Sequence, residues 1–364
     1  MPSPPPVFVR RDVPLAPLTT LEVGGPARYF VDGHDPAELA AALAWARAAD
    51  VEVLVFGGGS NLLVADAGFD GLALRVATTG ITVEAAGEAI TLRVAAGEPW
   101  DALVTRAVGE RWAGIECLAG IPGAVGAAPI QNIGAYGQEV ADVLVAVEAL
   151  DRVSGEVARF AAAECGFGYR QSRFKGDPTR RHVVTAVTLA LRPGGAPTVR
   201  YAELAAAVDA TRGLAAVSDA VRALRRSKSM VLDPSDPNRR SAGSFFLNPV
   251  LPGAAVAAVT ARVAAAGHDP STMPAWPQPD GAVKLSAAWL IERAGLTRGF
   301  GDGRVGLSSR HTLAVVNRGG ATAAEIVAFA GQVRATVRAR FGVALHPEPV
   351  FAGFDRAVEA LLDG

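Results

Sequence analysis

Residues 116–137 read Glu116-Cys-Leu-Ala-Gly-Ile-Pro-Gly-Ala-Val-Gly-Ala-Ala-Pro-Ile-Gln-Asn-Ile-Gly-Ala-Tyr-Gly137, and the rest of the chain is interpreted outward from them. Gly120, Gly123, Gly126, Gly134 and Gly137 stand among apolar residues, including Pro122, Ala124, Ala127 and Ala135, with almost no charge. Glycine lets backbone approach a ligand closely, and successive exposed N–H groups form an anion-binding concavity. Gln131, Asn132 and Tyr136 add neutral hydrogen-bonding groups. A tight-turn connector is the plain alternative. The length of the stretch and its lack of charge argue against an ordinary solvated loop and for a large, flat, phosphate-bearing cofactor.

A second glycine turn lies some 60 residues upstream, at Gly57-Gly58-Gly59-Ser60-Asn61-Leu62. Rossmann spacing fails there because Leu62 occupies the third glycine position, and no Lys-Ser/Thr follows to make a P-loop. Alone it is as readily a strand-end turn. Paired with the longer loop, it reads as a second jaw on a pyrophosphate.

The chain has 364 residues, room for two or three domains. With 35 basic against 36 acidic residues, it has no global attraction to nucleic acid or anionic lipid. Cys117 and Cys165 are the only cysteines, too few for a disulfide framework or a cysteine zinc site. The five histidines, His34, His182, His268, His311 and His346, lack metal-ligand spacing, so metal catalysis is not expected. Met1-Pro-Ser-Pro-Pro-Pro6 has neither the basic nor the apolar region of a secretory signal, and no apolar run reaches the roughly 18 residues of a membrane span. A reducing cytoplasm is the expected location.

Strand and helix signals alternate in the first third. Asp35-Pro36-Ala37-Glu38 opens a helix to about Ala49. Val51–Phe56 is a short β-branched run entering the first glycine turn. Strand-like alternation follows at Leu72–Val76, Ile81–Ala85 and Ile90–Ala95, then a helix at Pro99–Glu110. Two strands are expected near Val143–Asp151 and Val183–Leu191, and a composition break at Pro193–Pro197. Helical patterns cover Tyr201–Val208, Ser218–Met230 and Lys284–Ala294, the last closed by Gly295. Asp233–Arg240 is a polar loop. Thr322-Ala-Ala-Glu325 is a capping box before Ile326, Phe329, Ala330, Val333, Val337 and Phe341 on one helical face. The fold class expected is α+β with at least two ligand-bearing regions.

Three residues outside the glycine loops are candidates for chemistry. Arg170 lies in Phe167-Gly-Tyr-Arg-Gln-Ser-Arg-Phe174, where an arginine beside aromatics is more often a stacked surface residue. Ser244 follows Gly243 and precedes two phenylalanines but lacks the Gly-x-Ser-x-Gly elbow, which speaks against nucleophilic acyl chemistry. Glu348 is the only carboxylate between Ile326 and Phe354. It reads either as a simple exposed acid or as a partly desolvated one able to donate a hydrogen bond.

Together, Leu21-Glu-Val-Gly-Gly-Pro-Ala27, Gly57-Gly-Gly-Ser-Asn-Leu-Leu63, Gly120–Gly137, Gly168-Tyr-Arg170, Gly243-Ser-Phe-Phe-Leu-Asn-Pro249 and Pro347-Glu348 occur in the order that resembles the UDP-N-acetylenolpyruvoylglucosamine reductase family of bacterial peptidoglycan synthesis. The likeness runs from about Pro14 to Gly353 and is nearest to the enterobacterial-type subclass (type I). It implies a two-subdomain FAD-binding module of the vanillyl-alcohol-oxidase type plus a C-terminal α+β substrate-binding domain. Residues 1–78, with a C-terminal return at 347–364, would form the first FAD-binding subdomain, 79–227 the second, and 228–346 the substrate domain.

The resemblance also implies FAD and NADPH as cofactors and a UDP-sugar as substrate, in a monomer with no nucleic-acid or membrane partner. FAD would lie on Gly57–Leu62 and on the Pro122–Gly137 part of the long loop. Arg170, Ser244 and Glu348 would be catalytic, while Tyr201, Lys228 and Asn248 resemble the family's substrate-binding tyrosine, lysine and asparagine. Two rivals remain at this stage. A flavin alcohol oxidase on the same scaffold would not need the Gly-Ser-Phe-Phe and Tyr-Arg pieces. A nucleotide-sugar-binding protein without catalysis would not need Arg170, Ser244 and Glu348 together.

Overall fold

In the computed structural model, which describes residues 4–86 and 89–363, the β-branched Val53–Phe56 strand runs parallel to Phe69–Val76, with Val53 opposite Leu72. The first residues of the proline-rich start, Met1–Ser3, lie outside the described residues. Arg10–Pro14 and Pro26–Gly33 complete a four-stranded sheet on the other side of Phe69–Val76. The Pro36–Ala48 helix covers it. Asp35 caps that helix, accepting the Ala37 N–H at 2.6 Å, and Leu39, Ala42, Leu43 and Ala46 form its buried stripe.

A second sheet runs in the order Val157–Ala161, Leu144–Asp151, His182–Pro193, Ala89–Ala95, Ile81–Ala86, every pairing antiparallel. Its inner face, with Leu92, Val94, Val147, Val187 and Leu189, packs with Trp100, Leu103 and Val104 of the Trp100–Gly109 helix. Each such fully buried large apolar side chain contributes about 1.5–3 kcal/mol. These sheets and helices, with the Gly213–Ser227 helix, belong to one compact unit, residues 1–13, 27–59 and 70–232.

The other unit comprises residues 14–26, 60–69 and 233–364. Its core is the Ala323–Phe341 helix, whose Ile326, Ala330, Val333, Val337 and Phe341 are fully buried with Leu21, Leu63, Phe245, Phe246, Leu290 and Ile291. The helix begins with the capping box formed by Thr322 and Glu325, and Asp66 adds a second cap by accepting the N–H groups of Ala323 and Ala324 at 2.7 and 2.9 Å. Gly342 closes it in a left-handed conformation. Leu62–Val64 and Val350–Ala352 pair in parallel in this unit. A small antiparallel sheet of Val250–Pro252, Ala282–Leu285 and Ala275–Pro277 lies beside the Gly253–Ala265 helix. No helix among the described residues is long and apolar enough to cross a membrane.

Two helical expectations are corrected. Lys284 belongs to a strand, and the helix there is Ala287–Arg293, because Ser286 turns its side chain to the Trp289 N–H and starts a new element. The pattern placed at Ser218–Met230 is the Gly213–Ser227 helix. It starts earlier because Gly213, at φ +86°, lets the chain turn into it. It stops earlier because Ser229 is left-handed at φ +56°.

Candidate functional site

The long glycine loop is anchored at its stem by a buried carboxylate. Glu116 accepts the N–H groups of Gly114 and Thr198, both at 2.7 Å, and the Gln138 amide at 3.0 Å. Gln138 in turn accepts the Cys117 N–H at 2.8 Å. Further along, the loop is stitched to the sheet end: Gly126 donates to Ala96 at 2.7 Å, Val125 to Glu98 at 2.8 Å, and Gly123 accepts from Trp100 at 3.0 Å.

Glycine matters most where the two loops meet. A Cβ on Gly57 would stand 2.8 Å from the Ala124 Cβ, and one on Gly58 would stand 3.0 Å from the Gly123 Cα. The loops therefore share an edge made of bare, uncharged backbone. A pyrophosphate-bearing flavin needs that close backbone approach, so these residues fit FAD. Gly59, Ser60 and Asn61 continue the first loop. Ser60 accepts a hydrogen bond from Thr20 at 3.3 Å, and the Leu62 side chain is buried, leaving its backbone as the only part that can face a ligand.

The end of the long loop is a hairpin. Gly134–Ala135 pairs with Gln138–Glu139 around Tyr136 and Gly137, which have φ +49° and +82°. Two positive-φ residues in a two-residue turn match the twist of the flanking strands. Placing tyrosine rather than glycine or asparagine first carries a strain of order 1 kcal/mol. The ring meets Tyr201 edge to face at 5.8 Å, and the Lys228 ammonium sits 5.7 Å from its centroid. Lys228 also pairs with Glu203 at 2.6 Å. Burial pushes the Tyr136 phenol up to about 12, and the Tyr201 phenol is raised for the same reason.

Arg170 is held against the same loop. It occupies the tip of a tight turn, at φ +52°, between Gly168 and Gln171, which exchange backbone hydrogen bonds at 3.1 Å. Its guanidinium donates to the carbonyls of Asn132 at 3.4 Å and Gly134 at 3.1 Å. Asn132, itself left-handed at φ +44°, braces the turn by donating to Gly168 and Glu139 and accepting from Ala141. Ser172 adds a bond to the Ile130 carbonyl at 2.5 Å. Sequence reasoning had weighed Arg170 as a stacked surface residue. The aromatic contact exists, 5.6 Å to the Tyr169 ring, but the backbone bonds aim the guanidinium along the loop.

In the other unit, Ser244 and Glu348 come from distant parts of the sequence to two segments joined by an isolated antiparallel bridge between Phe246 and Pro347. The Glu348 N–H donates to the Phe245 carbonyl at 2.9 Å, and Leu247 donates to His346 at 2.9 Å. Gly243, at φ +71°, turns the chain into Ser244, and the fully buried Phe245 and Phe246 fix the segment beneath it. Asn61 secures Glu348 from the other side: its side-chain amide donates to the Glu348 backbone carbonyl at 3.2 Å, and its backbone carbonyl accepts from the Val350 N–H at 2.9 Å. Asn248 accepts the Ala287 N–H at 3.0 Å at the start of the Ala287–Arg293 helix. His346 pairs with Glu359 at 2.9 Å.

Sequence reading missed two residues beside the long glycine loop of the first unit. Asp101 accepts the Gly120 N–H at 2.6 Å and pairs with Arg222 at 2.5 Å. Arg225 lies next to Gly120, where a Cβ would come within 3.5 Å of its Nε. Nothing distinguishes either from the solvated charges of an ordinary amphipathic helix.

Comparison with known proteins finds two family matches along the chain. Residues 27–161 match the family description "FAD binding domain", and residues 234–352 match "UDP-N-acetylenolpyruvoylglucosamine reductase, C-terminal domain". A UDP-N-acetylenolpyruvoylglucosamine reductase of Thermobifida fusca is 49% identical over 349 residues, covering 94% of this chain and 98% of that protein. One from Nocardia farcinica is 50% identical over 352 residues, covering 95% and 90%. The crystal structure of the Thermus caldophilus enzyme of the same name is similar with a TM-score of 0.65 at 27% identity, covering 95% of this chain and 100% of that one. The α+β class and the FAD-binding module expected from the sequence are those of the structure and its matches.

Proposed function

The chain belongs to the UDP-N-acetylenolpyruvoylglucosamine reductase family, and from that membership we propose how its residues reduce the enolpyruvyl ether of UDP-N-acetylglucosamine-enolpyruvate to the lactyl ether of UDP-N-acetylmuramate, a step of peptidoglycan precursor synthesis. When bound, FAD supplies hydride chemistry, with NADPH as the source of the hydride. Gly57–Asn61, Leu62 through its backbone, and Pro122–Gly137 hold the flavin. The protein works as a cytoplasmic monomer.

The difficulty lies in the acceptor. An unactivated carbon–carbon double bond takes hydride poorly, because negative charge builds on the neighbouring carbon and its carboxylate. Arg170 offers a planar, permanent charge suited to a carboxylate becoming an enediolate. Glu348 in its acid form donates to the same oxygens, and one such donor is typically worth about 10²–10³-fold in rate. Ser244 delivers the proton to carbon. A hydroxyl is a weak acid, but an enediolate is a strong base and position does the rest. Tyr201, Lys228 and Asn248 hold the UDP-sugar in the manner of the enterobacterial-type subclass.

What supports the pairing of Ser244 with Glu348 is the backbone bond from Glu348 to Phe245 beside the Phe246–Pro347 bridge, which holds the two segments side by side. The test separates the half-reactions under anaerobic conditions. NADPH should bleach the yellow Ser244→Ala protein at the normal rate. Return of colour on adding the enolpyruvyl sugar should slow by about 10²–10⁴-fold. Equal slowing of both steps would remove Ser244 from the role of proton donor.

A further inference from the structure

The residues assigned roles above leave one fully buried carboxylate unused, that of Glu116. Its three hydrogen-bond donors are neutral groups: one oxygen accepts the Gly114 N–H, and the other accepts both the Gln138 amide and the Thr198 N–H. A carboxylate is tolerated in the interior only where such donors replace water, so all three are held closely in place. Gly114 and Gln138 lie on either side of the long glycine loop, and tying them together closes its stem. Thr198 is not part of that loop and lies 82 residues beyond Glu116 in the chain. The Cys117 thiol reaches the same residue, donating to the Thr198 carbonyl at 3.0 Å. Burial first, then the neighbouring Glu116 charge, pushes this thiol up to about 12, so it keeps its proton for that bond. Both backbone groups of Thr198 are therefore taken by two consecutive residues.

Thr198 sits in an arm, residues 195–200, that belongs to no helix or strand. The arm leads from the His182–Pro193 strand to Tyr201, at the start of the Ala202–Ala207 helix. Val199 rests on the apolar core, and a Cβ on Gly137 would lie 3.1 Å from the Arg200 Cβ. Among the described residues, 196–200 are hydrogen-bonded only at Thr198. Tyr201 is 41% exposed, so it keeps surface for a ligand even as its ring meets Tyr136 edge to face.

We propose that Glu116, with Cys117, is a positioning residue for the substrate: the pair fixes Thr198, and through it the arm that presents Tyr201 to the UDP-sugar. This rests on the function proposed above, in which Tyr201 holds that ligand. Stapling the loop alone would need only Gly114 and Gln138; the Thr198 bonds set the distance between the long loop and the substrate arm.

The experiment is a double-mutant cycle on the FAD-saturated full chain. The protein is reduced anaerobically with NADPH, and the enolpyruvyl sugar is titrated against the rate at which colour returns. Wild type, Glu116→Met, Tyr201→Ala and the combined variant are compared, because Glu116→Met keeps the reach of the side chain and removes its acceptors. The half-saturating sugar concentration should rise about tenfold with Glu116→Met alone, and less than about twofold when Tyr201→Ala is already present. The same fold-rise in both backgrounds, or none in either, overturns the assignment. Trypsin gives a readout independent of turnover: cleavage after Arg200 should be faster in Glu116→Met than in wild type, and an unchanged rate overturns the proposal. Glu116→Gln, whose amide oxygen accepts from Thr198, should recover most of both losses. Impairment equal to that of Glu116→Met would overturn the proposal by making the buried charge, and not the bond to the arm, the cause. If Glu116→Met does not melt as a folded protein, Cys117→Ala removes only the thiol bond. A smaller rise with faster cleavage then supports the proposal, and neither change overturns it. Tyr201→Ala that leaves half-saturation unaltered would instead defeat the functional reading of Tyr201, and the positioning role with it.

Discussion

At Tyr136 the backbone sits at φ +49°, a conformation usually left to glycine or asparagine, and the ring meets Tyr201 and Lys228. Burial raises its phenol to about 12 from an ordinary value of about 10. A group whose folded value lies above its unfolded one contributes stability that is fully present below the unfolded value and lost as pH rises through the folded one. The folded protein should therefore lose stability between about pH 10 and 12. Of its four tyrosines, a spectrophotometric titration should find Tyr136 among the late ones. Tyr136→Phe should remove one late titration and shrink that alkaline loss. A late titration left intact in the variant would contradict the enclosure described for this ring. The motifs drew out Arg170, Ser244 and Glu348 as candidates because each stands beside residues of restricted geometry, Gly168, Gly243 and Pro347. The approach of Arg225 to the long loop was not legible, because it depends on where Gly120 comes to lie in three dimensions.

Among elements, those with local punctuation were readable. The Pro36–Ala48 helix announces itself through Asp35 and Pro36, and the Ala323–Phe341 helix through Thr322, Glu325 and Gly342. The Ala287–Arg293 helix was misplaced because Lys284 and Leu285, which the local pattern joins to the helix, are taken up by tertiary pairing as a strand. The two glycine loops were legible individually, but their mutual contact was not. That contact makes a definite expectation for Gly57→Ala. The new Cβ would meet the Ala124 Cβ at 2.8 Å and force the loops apart. Overpacking of this kind costs about 1–3 kcal/mol. The variant should purify with less FAD and melt at lower temperature. Full flavin content with an unchanged melt would show that the shared edge does not shape the cofactor site.

On the scale of the whole molecule, the division of the chain into units does not follow its linear order. The unit containing Ser244 and Glu348 draws on residues 14–26 and 60–69 as well as 233–364. Leu21, Val23 and Leu63 are buried in its core, and Leu62–Val64 supplies the strand beside Val350–Ala352. Residues 233–364 expressed alone should therefore lack the sharp thermal transition and slow amide exchange of the full chain. A cooperative melt from that fragment would show that the early segments are dispensable. The Leu62–Val64 pairing has a further consequence during synthesis. A ribosome delivers that strand long before its neighbour, so the nascent polypeptide carries an unclosed apolar edge throughout the synthesis of the residues between them. Folding of this half must wait for Val350–Ala352 to emerge, and the interval is when holdase chaperones have the most to protect.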